Sequence, residues 1–120
     1  MIQGIGLDIV EINRIERAQS KNKRFVTRIL TQNERDIYES LISAKRKTEF
    51  LAGRFAAKEA IAKATGTGIG KLSFQHIQIV RTENGAPRVF VEGYEAFTFF
   101  ISITHTKGVA AAQAIMTNKG

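Results

Sequence analysis

The sequence contains no cysteine among its 120 residues, and it contains only one proline. The lack of cysteine excludes a disulfide framework, a thiolate metal site and a cysteine nucleophile. It also lacks low-complexity tracts and internal repeats that would suggest a linker, so we expect a single domain over residues 1–120. No apolar stretch approaches the roughly 20 residues of a membrane span. Asp8 and Glu11 interrupt the region where a signal peptide needs an unbroken apolar core, so we expect a cytoplasmic protein.

Acidic residues are also scarce. Eleven Asp and Glu stand against eighteen Lys and Arg, which gives a net charge of +7. Residues 14–47 hold ten basic and four acidic side chains and therefore carry +6 of that charge. A localised basic surface predicts an anionic partner, such as a nucleic acid, an anionic lipid, a phosphorylated ligand or an acidic protein. A solvated face that keeps the protein soluble explains the charge equally well.

The first half of the chain is expected to be mainly helical after one strand. Residues 2–10 alternate as a strand in which Asp8 shares its face with two glycines, and these should leave open space for a ligand or another backbone. A helix should begin near Glu11. Thr31 and Glu34 form a capping-box pattern that predicts a second helix through about Ser40. The longest helix is predicted over 44–65, and the glycine-rich GTGIG that follows should end it.

The second half is expected to be mainly strands. HIQIVRT (76–82) and PRVFVE (87–92) flank an Asn-Gly turn, which predicts a hairpin. FFISITH (99–105) and VAAAQAIM (109–116) predict a second hairpin, with a short helix around Tyr94–Thr98 between the two. We therefore predict an α+β domain in which a mainly antiparallel sheet packs against the long helix.

One acidic residue lies in the middle of the apolar side of the long helix. Glu59 shares that side with Leu51, Phe55 and Ala62. If the helix packs on the sheet, Glu59 converges with Asp8, and two converging carboxylates repel unless one is protonated or a cation lies between them. Two oxygen ligands suit Mg²⁺ completed by substrate phosphates. The alternative is that Asp8 caps the next helix and Glu59 pairs with Lys63 one turn later.

Two further groups are candidates for binding an anion. Arg54, Lys58 and Lys63 lie near the glycine-rich loop that starts at Gly66, and basic side chains beside such a loop can hold phosphate. The loop is not a Walker motif, and ending the helix explains it as well. His105, with Thr106 beside it, ends a strand, where it can bind an anion, move a proton or only make a surface hydrogen bond.

A basic stripe follows the first strand. Its members are spaced by 3, 4, 3 and 4 residues and surround Phe25: Arg14, Arg17, Lys21, Arg24 and Arg28. On a continuous helix they would lie on one face, although SKNK at 20–23 is expected to break that helix. A basic stripe with an apolar anchor is a plausible docking site for an acidic amphipathic helix. Solubilisation of a helix is the simpler alternative.

Three segments in a fixed order resemble one known family. GIGLDIVEINRIE (4–16), FLAGRFAAKEAIAKA (50–64) and SITHTK (102–107) are similar to the motifs of holo-acyl-carrier-protein synthases, the short bacterial type of 4′-phosphopantetheinyl transferase. The resemblance covers nearly the whole chain. It implies the phosphopantetheinyl transferase fold, a Mg²⁺ requirement and a homotrimer with active sites between neighbouring subunits. It also implies a reaction in fatty acid biosynthesis, in which the 4′-phosphopantetheine arm of coenzyme A moves to a serine of apo acyl carrier protein and adenosine 3′,5′-bisphosphate is released.

The resemblance also implies roles for individual residues. Asp8 and Glu59 match the metal ligands, and Lys63 matches a lysine near the coenzyme A phosphates, so these three form the expected catalytic set. Glu59, directly or through a water on the metal, is the candidate base for the serine proton. His105 matches a histidine near the nucleotide, and we group it for coenzyme A binding with Arg54, Lys63, Gly66 and Thr106. The basic residues from Arg14 to Arg28, with Phe25, match the surface that receives the carrier protein.

Two other functions explain part of the sequence. A basic nucleic-acid-binding module of α+β type explains the charge but leaves Asp8 and Glu59 without a role, and no strand carries an aromatic stacking pattern. A Mg²⁺-dependent phosphodiesterase uses the two acids but needs no docking surface for an acidic protein. We therefore expect coenzyme A, the carrier protein and further copies of this chain as partners, with no nucleic acid and no membrane.

Overall fold

The computed structural model describes residues 1–119, and within them it has four α-helices, a 3₁₀ turn and five strands. The elements in chain order are β1 (Ile2–Glu11), α1 (Ile12–Lys21), α2 (Phe25–Ile29), α3 (Gln32–Ser40), α4 (Ala44–Thr65), the 3₁₀ turn (Phe74–His76), β2 (Ile77–Arg81), β3 (Pro87–Val91), β4 (Phe97–His105) and β5 (Val109–Asn118). The predicted α+β class and the bounds of the long helix are confirmed.

The strands form two antiparallel sheets. The main sheet has the order β1-β5-β4, so the N-terminal strand joins the edge of the C-terminal hairpin. β2 and β3 form a separate two-stranded sheet. Both predicted hairpins are therefore present. In the β4–β5 turn the backbone N–H of Thr106 donates to the carbonyl of Val109 at 2.8 Å.

The long helix α4 packs on one face of the main sheet at unusually short range. The side chains that β5 turns toward α4 are small or flexible, namely Ala110, Ala112, Ala114 and Met116, and all are buried. On β1, a Cβ atom at Gly4 or Gly6 would overlap a backbone carbonyl oxygen of α4. The expected open space beside these glycines is therefore absent, because the backbone of α4 fills it.

The opposite face of the main sheet is apolar and exposed. Ile5, Leu7 and Ile9 of β1 are 59%, 58% and 63% exposed, and Phe100 of β4 is 59% exposed. The strand register places Ile5 beside Ile115 and Ile115 beside Phe100, so three large apolar side chains form one row across the sheet. We call Ile5, Leu7, Ile9, Phe100 and Ile115 the open sheet face.

Local signals set the start of α3 and the end of α4. The side chain of Thr31 accepts a hydrogen bond from the N–H of Glu34, and a Glu34 oxygen accepts one from the N–H of Thr31 at 2.8 Å, so the capping box is confirmed. Gly66 ends α4 in the left-handed region with φ of 82°. The basic stripe is divided after Lys21, as the sequence suggested, but the short α2 beyond the break was not predicted.

The predicted helix at Tyr94–Thr98 is wrong. Gly93 adopts φ of 87°, the N–H of Phe97 closes a turn on the carbonyl of Tyr94 at 3.0 Å, and Phe97 already pairs with Asn118 as the first residue of β4. Strand pairing with β5 therefore replaces the local helical tendency. Among the residues that the structure describes, no helix is long and apolar enough to cross a membrane.

Candidate functional site

Asp8 of β1 and Lys63 of α4 form an ion pair. Lys63 Nζ lies 3.1 Å from Asp8 Oδ1 and donates a second hydrogen bond to the carbonyl oxygen of Leu7 at 2.9 Å. Lys63 is thus held against β1 while half of its side chain stays exposed. Asp8 does not cap the next helix, because the N-cap residue of α1 is Glu11 and no side chain caps it.

Glu59 lies half-buried within electrostatic range of the same pair. Burial raises the pKa of its carboxyl above the usual value, and the negative charge of Asp8 raises the pKa further. The positive charges of Lys63 and Arg14 oppose that shift. The structure therefore brings together Asp8, Glu59 and Lys63, the three predicted catalytic residues, with Arg14 at their margin. We call these three residues the acidic cluster.

His105 and Arg54 line a different cavity, of about 330 Å³. His105 Nε2 lies 3.6 Å from Glu49 Oε2. Two more arginines, Arg46 and Arg81, lie in the same walls, so three guanidinium groups and an imidazole face one carboxylate. A cavity with this excess of positive groups suits a phosphate-bearing ligand. We call it the basic cavity.

Arg54 is the most enclosed charged side chain of the basic cavity. It is 5% exposed, and its guanidinium lies 4.4 Å from the centre of the Phe50 ring. Burial lowers its pKa to about 10, so the group stays protonated at neutral pH. Arg54 Nε is buried without a hydrogen-bond partner among the described residues. A donor left unsatisfied in this way is available to a ligand oxygen.

The acidic cluster and the basic cavity are separate within one chain. None of Asp8, Glu59 and Lys63 is among the residues that line the basic cavity. Glu49, which contacts His105, precedes Glu59 by ten residues on α4, which is about 15 Å along a helix. The predicted coenzyme A residues are therefore divided between two regions of the protomer.

Gly66 and Thr106, the remaining predicted coenzyme A residues, are exposed and have clear backbone roles. Gly66 is the C-cap of α4, one turn beyond Lys63. Thr106 Oγ1 accepts hydrogen bonds from the N–H groups of Gly108 and Val109 at 3.1 and 3.2 Å, and so supports the turn next to His105. Neither contact tests a role toward coenzyme A, and both assignments stay predictions.

The basic stripe lies on α1, α2 and the turn between them. Its five members are exposed: Arg14, Arg17, Lys21, Arg24 and Arg28. Asn22 Oδ1 accepts from the N–H of Arg24 at 2.9 Å and stabilises the break. Phe25 is half-buried, and its ring stacks 6.3 Å from the ring of Phe55 on α4. Phe25 therefore anchors α2 to the core and presents only part of its surface to a partner.

The prediction that Lys58 binds a phosphate is wrong, because its side chain is completely buried. Its Nζ donates to Glu34 Oε1 at 2.6 Å and to the carbonyl oxygens of Ile29 and Phe74 at 2.7 and 3.0 Å. Glu34 is also 0% exposed, and its Oε2 accepts from the N–H of Ile79 at 2.7 Å. Burial lowers the pKa of Lys58, and the charge of Glu34 opposes this shift. The capping-box pattern identified Glu34 only as a local cap.

The acidic cluster contributes two oxygen-bearing side chains to any metal ion. Among residues 1–119, no group of three or more His, Cys, Asp or Glu side chains is arranged to hold a metal. Asp8 and Glu59 are hard carboxylate donors within electrostatic range of each other. This donor set fits Mg²⁺, which proteins commonly bind through one or two carboxylates together with substrate phosphates.

Comparisons with known proteins agree with one another. A sequence model described as the 4′-phosphopantetheinyl transferase superfamily matches residues 4–115. Curated holo-[acyl-carrier-protein] synthases from Bacillus pumilus and Oceanobacillus iheyensis are 56% and 50% identical, over 97% and 99% of this chain and 96% and 99% of theirs. A crystal structure of a holo-(acyl-carrier-protein) synthase from Bacillus anthracis in complex with CoA (3′,5′-ADP) superposes with a TM-score of 0.90, at 46% identity and 99% coverage of both chains.

Proposed function

Because the chain belongs to the 4′-phosphopantetheinyl transferase superfamily, we propose that it transfers the 4′-phosphopantetheine arm of coenzyme A to a serine hydroxyl of apo acyl carrier protein. The observation that carries the proposal is the convergence of Asp8, Glu59 and Lys63 where β1 meets α4. We also propose that the reaction takes place in the cytoplasm and serves fatty acid biosynthesis.

The reaction requires one bond to phosphorus to form as another breaks. The serine oxygen bonds to the phosphorus that carries the pantetheine arm, and the bond from that phosphorus to the bridging oxygen breaks, so adenosine 3′,5′-bisphosphate leaves with the electron pair. Glu59 is the proposed acceptor of the serine proton, directly or through a water molecule, because its half-buried carboxylate lies beside Asp8 and Lys63 at the proposed reacting centre. Lys63 Nζ, half-exposed beside Asp8, would contact a phosphate oxygen.

Asp8 and Glu59 would also hold Mg²⁺. Their side chains are oxygen donors whose like charges repel, and a divalent cation relieves that repulsion. When bound, Mg²⁺ would neutralise charge on the pyrophosphate and on the leaving bisphosphate. The ion pair of Asp8 with Lys63 keeps both side chains at the same point of the site.

The basic cavity is the proposed site for the nucleotide end of coenzyme A. Arg54 supplies an unsatisfied buried N–H, and His105 supplies an imidazole at the rim. Thr106, next to His105, is the other proposed residue at this end of the ligand, whereas Gly66, one turn beyond Lys63, belongs to the end at the acidic cluster. Arg54 and Lys63 would then contact different phosphates of one extended molecule.

The separation of the two regions supports a site shared between subunits. Within one chain the acidic cluster and the basic cavity are about 15 Å apart along α4. The open sheet face, with Ile5, Leu7, Ile9 and Phe100 each more than half exposed, is a contiguous apolar surface of the kind that marks an interaction site. A homotrimer that buries this face would bring the basic cavity of one subunit toward the acidic cluster of the next.

The basic stripe is the proposed docking site for the acidic carrier protein. Its five members are exposed on α1, α2 and the turn between them, and Arg14 lies within electrostatic range of Glu59. A carrier bound there would present its serine next to the acidic cluster. Exposed charges of this kind increase the rate of encounter more than they contribute to the reacting site.

The test is the intact mass of apo carrier protein incubated with the chain, coenzyme A and Mg²⁺. We expect the carrier to gain the mass of one phosphopantetheine group, and a carrier whose acceptor serine is replaced by alanine to gain nothing. Release of adenosine 3′,5′-bisphosphate should match the modified carrier one to one. Unchanged carrier after a long incubation would overturn the proposed function.

A further inference from the structure

The mechanism above leaves the buried Lys58–Glu34 ion pair without a role. We propose that this pair is a positioning element, which fixes the rotation of α4 about its own axis and thereby directs Glu59 toward Asp8. The inference rests on the proposed function, because it assigns a purpose to the orientation of Glu59. Lys58 and Glu34 touch no reacting atom in this account, and they act only through the helix.

Lys58 is bonded in three directions. Its three ammonium protons match three acceptors, which are Glu34 Oε1 on α3, the carbonyl oxygen of Ile29 at the end of α2, and the carbonyl oxygen of Phe74 in the 3₁₀ turn. Glu34 is itself fixed by the N–H groups of Thr31 and Ile79, at 2.8 and 2.7 Å. A side chain held to three separate segments cannot swing without breaking a buried hydrogen bond.

The opposite side of α4 is fixed by backbone contact. Successive residues lie about 100° apart around a helix, so Ala60 and Ala64 lie at roughly 200° and 240° from Lys58. These are the residues whose carbonyl groups meet the glycines of β1. Glu59 and Lys63 lie at roughly 100° and 140°, between the two fixed sides. The acidic cluster therefore lies on the side of α4 between the Lys58 hydrogen bonds and the contact with β1. These two contacts together determine the direction in which Glu59 points.

Even a small rotation of α4 about its axis displaces the Glu59 carboxylate. A side-chain tip lies about 5–6 Å from a helix axis, so a rotation of roughly 10° displaces the Glu59 carboxylate by about 1 Å. A displacement of that size in a reacting group is enough to lower a rate about a hundredfold. On the sheet side, α4 is held by the close alanine–glycine contact and by the hydrogen bonds of the half-exposed Lys63 to Asp8 and Leu7. Lys58 supplies the buried directional contact on the side away from the sheet.

A buried ion pair is a poor choice if stability is its only purpose. Replacing such a pair by apolar side chains of similar volume is often neutral or stabilising, because both charges lose their hydration on burial. An apolar side chain packs in several orientations, whereas an ammonium group with three fixed acceptors specifies one. The position of the pair, one residue from Glu59, fits this directional role.

The test uses a double variant, Lys58→Met with Glu34→Gln, which removes both charges together. The matched control is Lys47→Met with Glu39→Gln, because that pair joins the same two helices at 3.9 Å and is partly exposed to solvent. For each protein we would measure the melting temperature, kcat, and the KM values for coenzyme A and carrier, using the intact mass of the carrier as readout.

We expect the buried double variant to fold with a lowered melting temperature, because the carbonyl oxygens of Ile29 and Phe74 lose their donor. Assayed well below that temperature, it should lose about tenfold to a hundredfold in kcat. Its KM for carrier should stay near the wild-type value, and the surface control should keep its kcat. If the buried double variant has the same kcat as the wild type, the positioning role is overturned. The activity of the wild-type protein itself would still support the proposed function. A variant that cannot be recovered folded would also overturn it, since the pair would then serve folding itself. A wild type without activity would instead contradict the proposed function.

Discussion

Gly6 of β1 and Ala60 of α4 meet backbone to backbone, and a Cβ atom on Gly6 would overlap the Ala60 carbonyl oxygen. Asp8 follows Gly6 by two residues on the same face of the strand, and Glu59 precedes Ala60 by one. The contact between the glycine and the helix therefore sets how closely the two carboxylates approach. The same short distance brings Lys63 within 3.1 Å of Asp8.

The first prediction concerns this contact. Gly6→Ala should lower the free energy of unfolding by about 1–3 kcal/mol or more, because backbone atoms cannot yield to the added methyl group as a side chain would. It should also reduce activity, since β1 must move away from α4. Urea unfolding of Gly6→Ala and of Gly108→Ala provides the measurement and its control, because a Cβ at Gly108 meets nothing within 4 Å. Equal stability of the two variants would contradict the account.

Features encoded by nearby residues could be predicted from the sequence. The capping box at Thr31 and the left-handed cap at Gly66 are decided within a few residues, and both were predicted. The approach of Asp8 to the long helix could also be predicted, because Asp8 shares a strand face with two glycines and Glu59 lies on the apolar side of the helix. The ion-pair partner of Lys63 was not predicted, since it is Asp8 and not Glu59. The helix predicted at Tyr94–Thr98 failed because pairing of Phe97 with distant Asn118 decides that segment.

Contacts between distant residues could not be predicted. Lys58 and Glu34 are 24 residues apart, and each has an ordinary local explanation, as a basic residue on a helix and as part of a cap. Their complete burial depends on how α3 packs on α4. The contact of His105 with Glu49 likewise depends on the position of β4 beside the start of α4. Sequence reasoning identified His105 but gave it no partner.

The second prediction concerns Lys63. Lys63→Ala should weaken the use of coenzyme A by about 1.5–3 kcal/mol, the contribution typical of a charged hydrogen bond. Stability should fall by about 1 kcal/mol or more, because Lys63 is half exposed but Asp8, which loses its counter-charge beside Glu59, is only 17% exposed. Steady-state kinetics with coenzyme A varied should reveal the loss in kcat/KM. Lys45→Ala, on the exposed first turn of α4, is the control and should match the wild type. If Lys63→Ala has the same kinetics as the wild type, Lys63 does not contact coenzyme A and serves only as the ion-pair partner of Asp8.

The third prediction concerns the basic stripe. Arg14→Glu with Arg24→Glu should raise the KM for carrier protein strongly and leave the KM for coenzyme A nearly unchanged, because exposed charges direct the encounter. Salt should have the same effect on the wild type, since physiological ionic strength already limits the reach of exposed charges to about 8 Å. The control, Arg88→Glu with Lys119→Glu, changes net charge equally on another surface. If both double variants raise the carrier KM alike, overall charge and not the stripe is responsible.

The fourth prediction concerns the open sheet face. Ile5→Glu places a charge in the row formed by Ile5, Ile115 and Phe100, and it should convert the proposed trimer to monomers with little activity. Ile42→Glu is the control, because Ile42 is an equally apolar residue that is fully exposed between α3 and α4. Light scattering and activity should be measured on the same samples. A wild-type monomer with full activity would refute the shared site.

The most direct measurement of the central claim follows the intact mass of the carrier over time with the wild type, Asp8→Asn and Glu59→Gln. Both variants should stay folded and lose about a hundredfold or more in transfer rate, because each removes a negative charge and one carboxylate oxygen at the proposed reacting centre. The exposed neighbour Glu11→Gln should transfer at the wild-type rate. Addition of EDTA should stop the wild type, and excess Mg²⁺ should restore it. Near-wild-type transfer by either folded variant at ordinary Mg²⁺ would show that the reaction does not take place at Asp8 and Glu59.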